Sequence, residues 1–268
     1  MKRAWIDCLA SPTTGAPLEL DAIRVAEDEI VEGFLVSADT RTVWPILAGV
    51  GVLPHDLGAH LSAQGNVYRR SPINDPRLAR FLLGQAGTGY VVVPFDEVVG
   101  HYRDLAAEPP EGYDTTPHPA DVALRETLAS GAPPRTGRGL VVGAGVGRAV
   151  FVLCEFLAAA IGIDSSIACV RRARNIAVTN EAFFLPAPKG SGMKEIPLEL
   201  GSLARDGADF AVADAHALPF TDGAFDVVVL HDGDMAGPWE DAARVEAEAA
   251  RVLAANGRLL RVRDGAVV

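Results

Sequence analysis

Short apolar runs that alternate with helical patterns, from Arg138 onward, constrain the fold of this chain more than any other feature. The runs, which we predict as strands, cover residues 139–142, 159–163, 209–213, 225–230 and 258–262. The helical patterns between them cover 147–157, 165–177 and 238–255, the last with Asn256-Gly257 as its C-cap. Strands that alternate with helices are typical of a parallel sheet with crossover connections. The sequence therefore predicts an α/β fold built on an open parallel sheet.

A glycine-rich turn follows the first predicted strand. Gly143, Gly145 and Gly147 let the backbone approach a ligand closely, and the next helix presents unpaired N–H groups to a carboxylate or a phosphate. Asp164 ends the second strand, 21 residues after Gly143, which is the spacing at which an acid meets ribose hydroxyls. A dinucleotide fingerprint needs Gly or Ala at position 148, where this chain has Arg148. The pattern therefore argues against NAD.

Residues 138–263 resemble a class I S-adenosylmethionine-dependent methyltransferase, which has a Rossmann-like fold. The resemblance rests on the order of the glycine run, Asp164, the segment 213–220 (ADAHALPF) and the strand 225–230 (FDVVVL). It implies S-adenosylmethionine as the cofactor, with the glycines around its methionine part, Asp164 at the ribose and Asp214 at the adenine. The cofactor-binding residues that it implies are Gly143, Ala144, Gly145, Gly147, Asp164, Ser165, Asp214, Ala215 and His231.

Two candidate catalytic residues, His231 and Asp232, follow the fourth strand, where the resemblance places the methyl-donor end. Methyl transfer from a sulfonium is an in-line displacement that needs alignment and a dry site more than catalytic side chains. His231 or Asp232 could act as a base if the nucleophile must lose a proton early. The N/D-P-P-Y signature of many adenine- and amide-methylating enzymes is absent after Leu230, which argues against nucleic-acid and protein-glutamine substrates.

The substrate is expected to be a small polar molecule. Residues 145–149 and 162–166 are similar to the methyltransferase that N-methylates thiohistidine in ovothiol synthesis, although this similarity is short. The long insertion at 178–207 contains several Pro and Gly residues, and we predict it as a lid or binding loop. The acidic formal net charge of −11 disfavours nucleic acid as a partner.

The chain departs from the methyltransferase pattern at two places. Family members usually carry an acid two residues before the first glycine, and this chain has Val141 there. The family also continues with a sixth and a seventh strand, whereas only six residues follow Val262. The resemblance therefore predicts a C-terminally shortened sheet with an exposed edge. The middle region could cover that edge, with 91–93 as an added strand, or a second copy or a partner protein could.

Residues 1–58 predict a compact β-rich module, because short apolar stretches alternate there with Pro and Gly. This region resembles the small zinc-ribbon family that activates tRNA, rRNA and release-factor methyltransferases in trans. The resemblance is carried by segments 6–12, 15–20, 43–46 and 49–53. In zinc-bearing relatives, two C-x-x-C pairs would fall at positions that are hydroxyl residues here: Ser11/Thr14 and Ser37/Thr40. Hydroxyls do not replace four thiolates on zinc, so we predict a metal-free ribbon. Cys8 lies outside those pairs and is predicted to be buried.

The whole chain is thus predicted as three parts, a ribbon-like module (1–58), a helical connecting region (59–135) and an S-adenosylmethionine-binding methyltransferase domain (136–268). We predict helices in the connecting region at 76–83, 95–107 and 119–130. Three scattered cysteines and the absence of a signal-like or membrane-spanning apolar stretch favour a cytoplasmic protein with no membrane partner.

Two functions remain open at this point. The first is a methyltransferase, favoured by the glycines with Asp164 and Asp214, which a pure scaffold does not need. The second is a non-catalytic protein of the same fold that binds or regulates a partner methyltransferase. Val141, the lost zinc ligands and the short C-terminus favour that alternative.

Overall fold

The computed structural model of the protein describes residues 1–91, 93, 101–108, 115–131, 133–184, 196–231, 239–263 and 265–268. Its strands are β1 (Leu18–Ala26), β2 (Glu29–Ser37), β3 (Val43–Leu47), β4 (Val50–Leu53), β5 (Arg138–Val142), β6 (Ala159–Asp164), β7 (Glu181–Phe184), β8 (Ile196–Glu199), β9 (Ala208–Ala213), β10 (Phe225–His231), β11 (Leu253–Arg263) and β12 (Ala266–Val267). Its helices are α1 (Leu57–Arg69), α2 (Pro76–Gln85), α3 (Pro119–Gly131), α4 (Arg148–Cys154), α5 (Ile167–Thr179) and α6 (Ala242–Val252), with 3-10 helices at Arg3–Cys8 and Arg103–Leu105. Among these residues, no helix has both the length and the apolar character needed to cross a bilayer.

Ten of the strands form one sheet, in the order β1-β2-β3-β4-β9-β6-β5-β10-β11-β12. The five pairs from β4–β9 through β10–β11 are parallel, and the other pairs are antiparallel. The first four strands predicted after Arg138 occur within one residue of their expected bounds. The predicted α/β fold with a largely parallel sheet is therefore confirmed.

The central strands are buried on both faces, which explains their mostly apolar sequences. All six residues of β9 are buried, and four of the five in β5. Val141 packs on one face of the sheet in a core with Phe151, whereas Leu140 and Val142 pack on the other face with Phe225. A sheet covered in this way leaves the ends of its strands as the place where a ligand can bind.

The N-terminal strands continue the same sheet. Strands β1 to β4 form an antiparallel meander, and β4 then pairs in parallel with β9, in the register Gly51↔Ala211, Val52↔Val212 and Leu53↔Ala213. The indole N–H of Trp44 donates to the Pro54 carbonyl at 3.1 Å and anchors the end of β4. The edge of the parallel sheet at β9 is thus covered by the chain's own N-terminal region.

The opposite edge of the sheet, beyond β11, differs from the expectation. The two-residue strand β12 pairs with β11 in antiparallel fashion, through Val262↔Val267 and Arg263↔Ala266, and α3 packs against both strands. The prediction that 91–93 adds a strand there is wrong, because Val91 and Val93 are not in a strand, and residue 92 lies outside the described residues. The connecting region reaches this edge through a helix instead.

Several helix predictions need correction. The helix predicted over 238–255 is α6, which ends at Val252, and Asn256-Gly257 lies within β11 rather than at a C-cap. Pairing of Leu253 with Phe225 draws the chain into the sheet earlier than its helix-favouring composition suggests. The helix predicted over 147–157 is shortened to α4. The helix predicted over 95–107 lies partly outside the described residues and ends in the 3-10 turn Arg103–Leu105.

Helix α1 was missed, because Gly58 and Gly65 weaken its helical pattern. The insertion at 178–207 is not irregular throughout, since β7 and β8 pair as an antiparallel hairpin, while 185–195 lie outside the described residues. The hairpin packs on the connecting region, where the Gly201 N–H donates to the Leu105 carbonyl at 2.7 Å.

Candidate functional site

The carboxyl ends of five neighbouring parallel strands meet at one edge of the sheet. These strands are β4, β9, β6, β5 and β10, and the residues that end them are Leu53, Ala213, Asp164, Val142 and His231. An open α/β sheet binds its ligands in the crevice outside these ends. Most of the predicted cofactor-binding residues lie on the turns that follow these strands, so the topology brings them to one side of the molecule.

The glycine turn after β5 is tightly closed against its neighbours. The N–H groups of Gly143 and Ala144 both donate to the Ile163 carbonyl, at 3.0 and 2.9 Å. Gly143 has φ of 76°, and a Cβ there would lie 2.6 Å from the carbonyl oxygen of His231. Gly147 has φ of 96°, where L side chains are strained. Both positions therefore require glycine for the turn to adopt this path.

Asp164 joins the glycine turn to the next helix. Its Oδ2 accepts from the Gly145 N–H at 3.0 Å, and its Oδ1 accepts from the Ser166 N–H at 2.8 Å. Burial raises the pKa of Asp164, against the lowering effect of these two backbone donors. A carboxylate has about four acceptor positions, so each oxygen can still accept one further hydrogen bond. Ser165, the next predicted site residue, is exposed on the same turn.

Asp214 and Ala215 follow β9 and are half-buried. Asp214 Oδ2 accepts from the backbone N–H of His55 at 2.7 Å, and the Ala217 N–H donates to the Asp214 carbonyl at 3.2 Å. His55 lies just after β4, in the N-terminal part of the chain. One carboxylate oxygen of the predicted adenine-facing residue is therefore held by the module, a contact that the sequence did not indicate.

His231 is the last residue of β10 and lies beside the glycine turn. Leu230 pairs with Val142, which places the His231 backbone directly against Gly143. The indole of Trp239 also lies against Gly143, because its Cζ2 would be 3.5 Å from a Cβ at that residue. Trp239 is a site residue that sequence reasoning missed. The other predicted catalytic residue, Asp232, lies outside the described residues, and its role stays a prediction.

Arg148 stands at the position that argued against NAD, and its side chain is buried in an ion-pair network. Its Nη1 and Nη2 donate to the two carboxylate oxygens of Asp104 at 3.0 and 2.9 Å, and its Nε lies 2.8 Å from Asp121 Oδ2. Burial raises the pKa of Asp121, and the Arg148 guanidinium opposes that rise. The Tyr102 hydroxyl donates to the Val146 carbonyl at 2.7 Å. Together these contacts hold the connecting region against the glycine turn.

The four hydroxyl residues of the ribbon-like module take part in hydrogen bonds. Ser11 Oγ lies 2.9 Å from Thr13 Oγ1, and Asp39 accepts from the Ser37 hydroxyl and from the Thr40 N–H. The Ser37 hydroxyl bond lowers the pKa of Asp39, as does a bond from Thr14. Within the described residues, no group of three or more His, Cys, Asp or Glu side chains is arranged to hold a metal. Cys8 is buried, as expected.

The C-terminal part of the chain is similar to a known family of domains. Residues 140–261, under half of the chain, match a family described as "Methyltransferase domain". This match confirms the expected cofactor class, S-adenosylmethionine, for that segment. No curated protein matches the chain.

Three solved structures are among those that are similar to part of this chain. The YcgJ protein from Bacillus subtilis is 21% identical with a TM-score of 0.40, and the match covers 52% of this chain and 49% of that chain. Phosphoethanolamine N-methyltransferase 1 from Haemonchus contortus, solved with phosphoethanolamine and S-adenosylhomocysteine, is 17% identical with a TM-score of 0.38, covering 55% and 26%. A chain in a complex of the Haloferax volcanii Trm112 methyltransferase activator with a candidate methyltransferase is 20% identical with a TM-score of 0.36, covering 52% and 50%. The chain spans about half the length of the first of these structures.

Proposed function

We propose that the protein is an S-adenosylmethionine-dependent methyltransferase that acts on a small polar molecule. The observation that carries this proposal is the Asp164 carboxylate, which is bonded to the glycine turn and to Ser166 yet keeps an acceptor position on each oxygen. Two acceptor positions beside a glycine turn suit the two neighbouring hydroxyls of a ribose. A scaffold could use the two backbone contacts of Asp164, but it has no use for the remaining acceptor positions beside the glycine turn.

The donor and acceptor set of the site fits the cofactor. In our assignment, Gly143, Ala144, Gly145 and Gly147 hold the methionine part. Asp164 and Ser165 hold the ribose, and Asp214 with Ala215 faces the adenine. When bound, S-adenosylmethionine supplies an electrophilic methyl group on a sulfonium sulfur. The residues of this chain then have to align the acceptor with that group and exclude water.

The methyl-donor end of the site is assigned to His231, Trp239 and Gly143. The Trp239 indole gives this end an aromatic wall, which helps to keep it dry. We assign His231, with Asp232 as the alternative, to accept the proton of an acceptor group that must be deprotonated before it is methylated. The net charge of −11 supports a small substrate over a nucleic acid.

The alternative function, regulation of a partner methyltransferase through the ribbon-like module, retains one supporting observation. Val141 is fully buried and offers no carboxylate to the cofactor's amino group. Against it, strand β4 already pairs with β9 of the same chain, so that edge of the module is not available to another protein. The ribbon resemblance, the three-part division, the metal-free state and the cytoplasmic location remain predictions.

The test of the proposal is calorimetric titration with S-adenosylmethionine and S-adenosylhomocysteine, with NAD as the negative control. We expect micromolar binding of the first two only. Asp164→Asn should raise the Kd for S-adenosylhomocysteine at least about tenfold, the order of hydrogen bonds to a charged group. Asp21→Asn, which changes an exposed carboxylate on β1, is the matched control and should leave that Kd unchanged.

Two results would overturn the proposal. Failure of the wild-type protein to bind either compound would favour the regulatory alternative. Unchanged affinity in Asp164→Asn would mean that the ribose assignment is wrong. Once a substrate has been found by screening small acceptors for S-adenosylhomocysteine release, His231→Gln should lower turnover without abolishing the binding of S-adenosylhomocysteine.

A further inference from the structure

Helix α1 breaks its helical conformation at Gln64, whose φ is −118° and ψ is 16°. The backbone groups near the break bond to the segment after α2. The Leu61 carbonyl accepts from the Gly87 N–H at 2.9 Å, and the Asn66 N–H donates to the Gly89 carbonyl at 3.0 Å. Because these backbone groups have hydrogen-bond partners, the break does not leave them unsatisfied. The Gln64 side chain points away from the helix at the break.

That side chain bonds to the turn that follows β6. Gln64 Nε2 donates to the Ser165 carbonyl at 2.8 Å, and Gln64 Oε1 accepts from the Ile167 N–H at 3.0 Å. The two ends of one amide therefore contact the backbone on either side of Ser166, at Ser165 and at Ile167. Such a contact fixes the orientation of the turn as well as its position.

The bracketed turn carries the residues that we assign to the ribose. Between the two contacts of Gln64 lies Ser166, whose N–H donates to Asp164 Oδ1 and whose hydroxyl caps α5 by accepting from the Cys169 N–H at 3.3 Å. Asp164 in turn accepts from Gly145. A continuous chain of hydrogen bonds therefore runs from α1 through the turn and the Asp164 carboxylate to the glycine turn.

The same stretch of chain also reaches the second acidic residue of the site. His55, two residues before α1, donates its N–H to Asp214. The short segment from 55 to 64 thus contacts both the Asp164 turn and the Asp214 turn. This segment lies outside the region that matches a methyltransferase domain, about 75 residues before its start.

We propose that Gln64 is a positioning residue that presets the Asp164–Ser165 turn for the cofactor's ribose, an inference that rests on the proposed function. Without its amide, the turn loses two contacts that restrict it, and part of the ordering must then occur when the cofactor binds. The affinity for the cofactor falls as a result.

The experiment is a double-mutant cycle on S-adenosylhomocysteine affinity, measured by calorimetry on the full chain. We expect Gln64→Ala to raise the Kd about tenfold, from the loss of two hydrogen bonds. If Gln64 acts through Asp164, adding Gln64→Ala to Asp164→Asn should raise the Kd by less than about twofold more. Gln85→Ala is the matched control, because Gln85 is an exposed helix glutamine whose side chain, among the residues that the structure describes, bonds only to the Phe81 carbonyl of its own helix.

A second variant guards against loss of the fold. Gln64→Glu keeps the shape and the acceptor for the Ile167 N–H, but at high pH its second oxygen faces the Ser165 carbonyl without a proton to donate. We expect Gln64→Glu at about pH 7.5 to raise the Kd at least as much as Gln64→Ala does, because its ionised carboxylate meets the Ser165 carbonyl where the amide N–H donated. A role in filling space alone would predict the opposite order, since Gln64→Glu keeps the side-chain volume.

The outcomes separate the two proposals. If the wild-type protein binds S-adenosylhomocysteine, the inference about Gln64 is overturned by an unchanged Kd in folded Gln64→Ala. It is equally overturned by losses that multiply in full in the double variant, or by wild-type affinity in Gln64→Glu. If the wild-type protein does not bind S-adenosylhomocysteine, the proposed function fails, and the role of Gln64 fails with it.

Discussion

The buried network around Arg148 allows a quantitative prediction. The Arg148 side chain is only 3% exposed, and the carboxylates of Asp104 and Asp121 that contact it are 5% and 6% exposed. Arg148→Met keeps much of the side-chain volume but removes the positive charge, so two buried carboxylates lose their common partner. Breaking a buried pair by removing one member destabilises a protein by about 3–5 kcal/mol. We expect a loss in the free energy of unfolding within this range at neutral pH.

The chain offers a matched control in Arg125, which forms a bidentate pair with Glu155. These two side chains are 32% and 33% exposed, so solvent screens the pair. Arg125→Met should therefore cost only about 0–1 kcal/mol, the usual worth of an exposed ion pair. The difference between the two variants measures the effect of burial, because the chemical change is the same in both.

The pH dependence of the Arg148→Met loss provides an independent check. Burial already raises the pKa of Asp121, and removal of the Arg148 guanidinium removes an effect that lowers it. The pKa of Asp121 in the folded variant should then rise further above its value in the unfolded chain. A raised folded-state pKa of a carboxyl destabilises the ionised protein, and this penalty is relieved as the pH falls through that pKa. The loss should therefore be smaller at about pH 5 than at about pH 7.5.

The assay is urea unfolding followed by tryptophan fluorescence, with the wild-type protein and both variants at the two pH values. The reasoning is refuted if Arg148→Met loses no more stability than Arg125→Met. It is also refuted if the loss grows as the pH falls, since that result would mean that the orphaned carboxylates are not the source of the instability.

Two further predictions concern other buried titratable groups. Burial lowers the pKa of His60 to about 4. Below the ordinary pKa of histidine, the unfolded chain therefore binds a proton at this residue that the folded chain does not. This group alone should lower the free energy of unfolding of the wild-type protein by about 2 kcal/mol between about pH 7.5 and pH 5. His60→Gln should remove that pH dependence, whereas His55→Gln, at an exposed histidine, should not. If the free energy of unfolding in urea changed equally with pH in the two variants, the assignment to His60 would be contradicted. Burial also raises the pKa of Cys8 to about 11 and of Cys154 to about 12, so both thiols should label with an aromatic disulfide reagent at about pH 8 only on unfolding. Rapid labelling of either thiol in the folded protein would show that it is more accessible than the structure indicates.

Some elements of this fold follow from local sequence signals, whereas others depend on pairing with distant parts of the chain. Strands β5, β6, β9 and β10 could be predicted closely because each is a short, mostly apolar run, which is a local signal. The parallel pairing of β4 with β9 could not, since four residues of the sequence VGVL carry no periodicity and their partner lies far along the chain. The end of α6 was misjudged for a related reason, because long-range pairing of Leu253 overrides its local helix preference.

The candidate site divides in the same way. The meeting of Gly145 with Asp164 follows from topology, because consecutive parallel strands place their carboxyl ends together. Trp239, Gln64 and the His55 N–H reach the site only through tertiary contacts, so no spacing in the sequence reveals them. The sequence indicates only that Arg148 disfavours NAD, whereas in the structure it has two buried carboxylate partners.

The core that residues 1–58 share with the parallel sheet bears on the prediction that this part of the chain folds as a ribbon without zinc. In zinc ribbons the metal supplies folding free energy that a small sheet cannot obtain from its own core. Here Trp5 and Trp44 belong to the same core as Leu140 and Val142 of the parallel sheet, and the Trp5 ring lies 6.1 Å from that of Phe225. Burial against a large sheet provides apolar contact that an isolated module lacks. Pairing of β4 with β9 adds main-chain hydrogen bonds, and the two together offer a physical reason why hydroxyl residues at 11, 14, 37 and 40 are compatible with a folded module.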